Sequence, residues 1–222
     1  MPYLIDGPAG IETNTACAVP RTARGDLAEL IAGTMIDIEG GRKAVEELVI
    51  GDMVRTKDDG YQPIRWIAAR TLTSAHFAAD PSLRPIRIKA GALGDAKPAQ
   101  DLMVSPQHCV LLDDWRCDLL FGEDEVLAPA EALLNDSSIS IDRACKEVTY
   151  YHFLFDKHQI VYSNGAETES FHPAAASLDT FEDAKREELF KIFPQLEFDA
   201  SSFGPLARAT LQPFEAEVMM AM

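Results

Sequence analysis

Ser105-Pro106-Gln107-His108 places a hydroxyl three positions before an imidazole, with a proline between them. That spacing can turn both side chains into one pocket, where the pair could protonate an amide nitrogen or hydrogen-bond a polarised carbonyl. A simple turn between strands, with its histidine satisfied by hydrogen bonds, would use the same residues. His152 and His158 lie within another informative stretch, Tyr151 to Gly165. Close to His108 they would make a proton-relay cluster, and otherwise they are half-buried strand histidines. His76 and His172 fall in expected loops and carry no signal. The four cysteines, Cys17, Cys109, Cys117 and Cys145, form no Cys-x-x-Cys pair and fit no common zinc spacing. Free, mostly buried thiols are expected. His108, Cys109 and Cys117 are the least unsuitable metal ligands, and no metal or other cofactor is expected.

A pocket of this kind needs strands to hold it, and the chain signals many. Met35–Ile38 is apolar and runs into Gly40-Gly41, a helical turn is expected at Val45–Leu48, and Gly51-Asp52 turns into a strand at Met53–Thr56. Asp59-Gly60 suits a type I′ hairpin turn into Tyr61–Ile67, with Pro63 placing that strand at an edge or a strand start. Arg70–Ser82 reads as loop, Leu83–Lys89 alternates as a strand, and Val110–Leu112 leaves the Ser-Pro-Gln-His motif as another. Leu119–Phe121 and Glu125–Leu127 flank a turn at Gly122, and Pro129–Leu134 suits one helical turn. Val148–Phe155 and Gln159–Tyr162 are β-rich, and Asn164-Gly165 follows as a corner. Many short strands between turn signals argue for an all-β domain.

The ends differ. Residues 1–26 read as an irregular arm, with a strand near Met1–Ile5. Asp179-Thr180-Phe181-Glu182 has the form of a capping box, and Pro194 ends a helix expected over 179–193. A shorter helix is expected near Pro213–Met219. With 20 Lys and Arg against 36 Asp and Glu, the 222 residues carry a net charge of −16. That field repels phosphate backbones and anionic lipid, so nucleic acid and membrane are not expected partners. No apolar run is long enough to span a bilayer, and the first residues lack a basic n-region followed by an apolar stretch. A cytoplasmic location, or export without a cleavable signal peptide, is expected. The oligomeric state is left open.

Three blocks carry a family resemblance. The first is Ala32-Gly33-Thr34 with its Gly turn, Val45-Glu46-Glu47-Leu48 and Gly51-Asp52-Met53-Val54; the second is Ser105 to His108; the third is Tyr151 to Gly165. In this order and spacing the chain resembles the Hint superfamily, the self-processing domains of inteins and hedgehog proteins. The run Leu83 to Gly94, the Ser-Pro-Gln-His motif and Glu169-Ser170-Phe171-His172-Pro173 resemble a bacterial branch of it. The resemblance implies an all-β, horseshoe-shaped domain over residues 27–173, with a partly helical extension over 174–222. It also implies roles: His108 as the acid that protonates the leaving amide nitrogen, and Ser105 as a donor to the strained carbonyl.

The family's nucleophile, a Cys or Ser four positions before the Gly of Gly-Thr, falls on Glu29. A carboxylate attacking the preceding carbonyl would form a high-energy mixed anhydride, so the acyl shift is not useful there. Cys17 lies twelve residues too early. After Asn164-Gly165 the chain reads Ala166-Glu167-Thr168-Glu169-Ser170, which offers no Asn to cyclise, so splicing is not expected. The leading expectation is a Hint domain whose self-cleavage is lost or severely impaired, a structural or interaction module with a protein partner or a fused neighbour. The rivals are an active, hedgehog-like self-cleaving domain using water, Glu29 or Cys17, and a metal-dependent hydrolase built on His108, His152 and His158.

Overall fold

The computed structural model describes residues 29–173, 178 and 181–220. The expected N-terminal arm, its strand near Met1–Ile5, Cys17 and the first half of the expected capping box lie outside the described residues. The first block folds as β1 (Leu30–Ile31), β2 (Met35–Ile38) and β3 (Gly41–Ala44), then a 3-10 turn at Val45–Glu47 and β4 (Met53–Arg55). Next come β5 (Tyr61–Pro63), β6 (Trp66–Thr73), α1 (Ser74–Ala79), β7 (Ile86–Ile88), β8 (Leu102–Val104) and β9 (Cys109–Leu112). Then follow α2 (Trp115–Phe121), β10 (Val126–Pro129), β11 (Ile139–Ile141), β12 (Glu147–Leu154), β13 (Ile160–Ser163) and β14 (Ala166–Glu169). The C-terminal part adds α3 (Asp183–Ile192) and α4 (Pro213–Met220).

Among the described residues the strands form two antiparallel sheets. One runs β11-β7-β8-β1-β12-β6, and the other runs β10-β9-β14-β13-β2-β4-β5, with β3 also paired to β2. The all-β expectation holds. β1 is only two residues long, yet it sits between β8 and β12, so three distant parts of the chain meet at its start. The main core lies between the sheets and includes Ile36, Val54, Ile88, Val104, Val110 and Phe153. A second core lies on the outer face of β6 and β12, where Trp66 and Leu154 pack against Phe171, Phe181, Leu189 and Phe203. The Trp66 indole N–H donates to the carbonyl of Lys185 at 3.3 Å, which ties α3 to β6. Further on, Leu127 exchanges backbone hydrogen bonds with Ala209 and Leu211, both at 2.8 Å, so the extension runs along β10.

Several local expectations change. Residues 70–82 are not a loop: β6 continues to Thr73, and α1 follows with His76 closing a capping box on Thr73. The strand signal was hidden because an arginine and threonines occupy positions where apolar alternation was sought. The expected strand over Tyr61–Ile67 is broken between Pro63 and Trp66, with Pro63 on the edge strand of its sheet. The turn at Asp59-Gly60 is a five-residue loop between paired Arg55 and Tyr61, in which Gly60 takes a φ of 67° and Asp59 does not enter the left-handed region. Leu119–Phe121 is the end of a helix, capped at its start by Asp114 accepting from the Arg116 N–H. The helix expected from 179 begins instead at Asp183, and Glu182 makes no side-chain cap.

The type I′ geometry appears at Asn164-Gly165, which joins paired Ser163 and Ala166 with φ of 50° and 82°. Asn164 is fixed on both sides, its Oδ1 accepting from Met35 N–H and its Nδ2 donating to the Asp101 carbonyl, each at 2.8 Å. A Cβ on Gly165 would meet the Ala99 Cβ at 3.0 Å, whereas Gly122, with a φ of 70°, faces open space. Gly122→Ala should therefore cost about 1 kcal/mol from the left-handed backbone alone. Gly165→Ala should cost about 2 kcal/mol or more, because the contact adds to the strain. Urea unfolding of the two variants checks the order, and equal losses would contradict it.

Candidate functional site

Pairing of Leu30 with Val104 sets Glu29 opposite Ser105, which is 76 residues away in sequence. The two exchange hydrogen bonds: the Glu29 N–H donates to Ser105 Oγ at 3.2 Å, and the Ser105 N–H donates to the Glu29 carbonyl at 3.0 Å. The turn after Ser105 closes through the His108 N–H donating to the Ser105 carbonyl at 3.1 Å, and β9 then carries the chain away. The first two site residues are thus joined through backbone and hydroxyl.

The Glu29 side chain is buried, at 1% exposure, and held by β6 and β12. Arg70 makes a fork to it, with Nε on Oε1 and Nη2 on Oε2, the latter at 2.8 Å. His152 Nε2 lies 2.9 Å from Oε1, but off the line of an aligned hydrogen bond. Burial opposes ionisation of Glu29, yet His152 and Arg70 together outweigh it and hold the carboxyl below the usual carboxylate range. The rings of Phe171 and Phe181 meet His152 edge-on at 5.4 and 5.0 Å, closing the pocket from the side of the extension.

His108 is 1% exposed, and among the described residues neither ring nitrogen has a hydrogen-bond partner. Burial pushes its pKa down from 6.5 to about 4, although the carboxylates of Glu169 and Glu29 pull the other way. The imidazole is therefore neutral near neutral pH. The resemblance assigns His108 to the amide nitrogen of residue 29, but in this structure Ser105 Oγ occupies that contact.

His158 stands apart from Glu29. Its Nδ1 accepts the Ala207 N–H at 2.9 Å, which leaves the proton on Nε2, 3.1 Å from the Ser170 carbonyl and 3.4 Å from Glu169 Oε2. Both His152 and His158 lie close enough to influence His108 electrostatically, and among the described residues no direct hydrogen bond links the three rings.

Three residues of this pocket carried no role in the sequence reading. Arg70 lay in an expected loop. Glu169, buried and accepting the Cys109 N–H at 2.8 Å, stood inside a quoted motif without an assigned function. His172, placed in a loop, is buried; its Nε2 lies 3.0 Å from the Gly204 carbonyl and its ring packs on His158 at 5.2 Å. No apolar alternation marked Glu169, which stands between Thr168 and Ser170. Among the described residues no three His, Cys, Asp or Glu side chains are grouped to hold a metal ion, and Cys117 Sγ instead faces the Leu112 carbonyl at 3.5 Å.

A family profile described as Hint domain matches residues 29–175. Among solved structures the chain is similar to the bacterial intein-like domain from Clostridium thermocellum, with 18% identity and a TM-score of 0.41 over 64% of this chain and 97% of that one. It is also similar to the gp41-1 intein, with 14% identity and a TM-score of 0.36 over 63% of this chain and 96% of that one. No curated protein matches the chain.

The His108 environment makes a pH prediction. Its folded pKa, about 4, is depressed below the ordinary 6.5, so its stabilising contribution is complete above 6.5 and fades as the pH falls toward 4. Lowering the pH from 7 to 5 should remove about 2 kcal/mol of unfolding free energy through this residue. Urea unfolding at both pH values should show that part of the loss vanish in His108→Gln. An undiminished loss in the variant would assign the pH dependence to other groups.

Proposed function

The chain belongs to the Hint domain family, and we propose that it is a member whose self-cleavage is lost or severely impaired, persisting as a structural or interaction module. On this reading residues 27–173 are the Hint-like unit, residues 1–26 an arm, and residues 174–222 an extension packed on it, with a protein partner or fused neighbour as the object of interaction. The observation that carries the reading is the Glu29 carboxylate, forked by Arg70 where the family resemblance puts a nucleophile. A carboxylate held as an anion by a guanidinium is a weak nucleophile, and its acyl product would be a mixed anhydride that reverts or hydrolyses. The neutral, buried His108 adds to the impairment, because a leaving amide nitrogen must be protonated as its bond breaks.

One observation favours the rival, a hedgehog-like single cleavage. Ser105 Oγ touches the amide nitrogen of residue 29, so a polar group is already positioned at the bond that would break. A competent nucleophile is then the missing part, and a cysteine at position 29 would sit near Arg70, which favours a thiolate.

Intact-mass measurement of the full chain, incubated with and without dithiothreitol, separates the two. The wild-type chain should stay whole. Appearance of a fragment beginning at Glu29 would overturn the proposal, and a cut before Cys17 would move the nucleophile there. Glu29→Cys should cleave slowly between residues 28 and 29, faster with dithiothreitol, and His108→Ala in that background should slow it by about tenfold or more. Cleavage indifferent to His108→Ala would remove His108 from the chemistry.

A further inference from the structure

We infer that the face shared by α2 and α4 is a docking surface for a basic, amphipathic segment of another protein. Trp115 and Leu119 are one helical turn apart on α2, exposed at 66% and 61%, while Cys117 between them points into the core. Phe214 and Val218 repeat the pattern on α4, exposed at 64% and 53%, while Ala216 and Met219 are buried. The two helices touch: Arg116 Nη1 donates to the Met219 carbonyl at 2.9 Å, bringing the first turn of α2 to the last turn of α4. Both exposed apolar pairs therefore stand on helices that adjoin one another. Two large aromatic residues on adjoining helices, both facing outward, are unusual on a surface that covers nothing.

The charge around the patch selects the occupant. Arg116, the cation between the ridges, is already neutralised by Asp114 at 2.6 Å. Asp118, Glu123, Asp124 and Glu217 are exposed at the rim, and none of them is ion-paired among the described residues. An apolar centre with an uncompensated acidic rim fits a segment with Lys or Arg beside its apolar residues. A second copy would bring the same acidic rim and a net charge of −16 to meet its own kind, and anionic lipid would be repelled likewise. The inference supplies a partner class for the interaction module proposed above. It rests on this surface alone, so its failure would leave the uncleaved-chain reading intact, and cleavage detected by mass would leave the surface intact.

Trp115 is also the reporter, because the other tryptophan, Trp66, is fully buried. A synthetic helical peptide with a leucine face and a lysine face should bind the full-length chain saturably and shift Trp115 emission to the blue. Leu119→Asp and Val218→Asp change only exposed positions, and each should weaken binding about tenfold or more. A leucine/glutamate peptide, a lysine/serine peptide and phosphatidylserine vesicles should not produce the shift. The inference is overturned by no saturable binding, by equal binding of the lysine/serine peptide, or by binding unaffected by either Asp variant. It is equally overturned if vesicles produce the shift, or if concentration-dependent dimerisation of the chain shields Trp115 from iodide.

Discussion

A buried carboxylate must be paired or it will not stay buried, and in this chain the pairing of Glu29 organises three strands of one sheet. The Glu29 backbone is bonded to Ser105 beyond β8, while its side chain reaches Arg70 on β6 across β12. Removing two charges from water costs several kcal/mol per ion, which only good geometry and a second partner recover. The fork from Arg70 supplies the geometry, and His152 on the intervening strand supplies the second partner. Phe171 and Phe181 pack edge-on against His152, so through Phe181 the C-terminal extension takes part in covering the pocket. Glu29 is thus a structural tie between the two halves of its sheet.

That tie also sets the electrostatics of the neighbouring residues. His108 lies buried between the influence of two carboxylates, Glu29 and Glu169, yet desolvation dominates and keeps it neutral. Loss of the Glu29 charge would remove one of the two groups that favour its protonated form. Glu169 and His158 belong to a separate arrangement, in which Cys109, Ser170 and Ala207 are drawn together by backbone hydrogen bonds. The pocket is thus two adjacent polar networks, with an imidazole between them whose ring nitrogens have no hydrogen-bond partner among the described residues.

How much of this could be read in advance depended on the kind of signal. Turns that need a left-handed residue were legible, as at Asn164-Gly165, and so was the juxtaposition of Glu29 with Ser105, which followed from motif order. Arg70 was not legible, because a half-buried arginine on a strand looks like a loop residue until its partner is known. α2 was missed because its outward face is apolar, with Trp115 and Leu119 breaking the amphipathic pattern by which surface helices are recognised. His158 and His172 were ambiguous for a simpler reason. Their partners are the backbone groups of Ser170, Gly204 and Ala207, which leave no trace in side-chain spacing.

The account turns on whether position 29 serves as an ion-pair anchor, and a double-mutant cycle on Glu29 and Arg70 measures that directly. Glu29→Gln and Arg70→Met should each cost about 3 kcal/mol in urea unfolding at pH 7, since each leaves a poorly solvated charge behind. Together they should cost about 2 kcal/mol less than the sum, because the double variant leaves no orphaned charge. Costs that add within about 0.5 kcal/mol would show that the two side chains do not depend on one another, and the structural role assigned to Glu29 would fall.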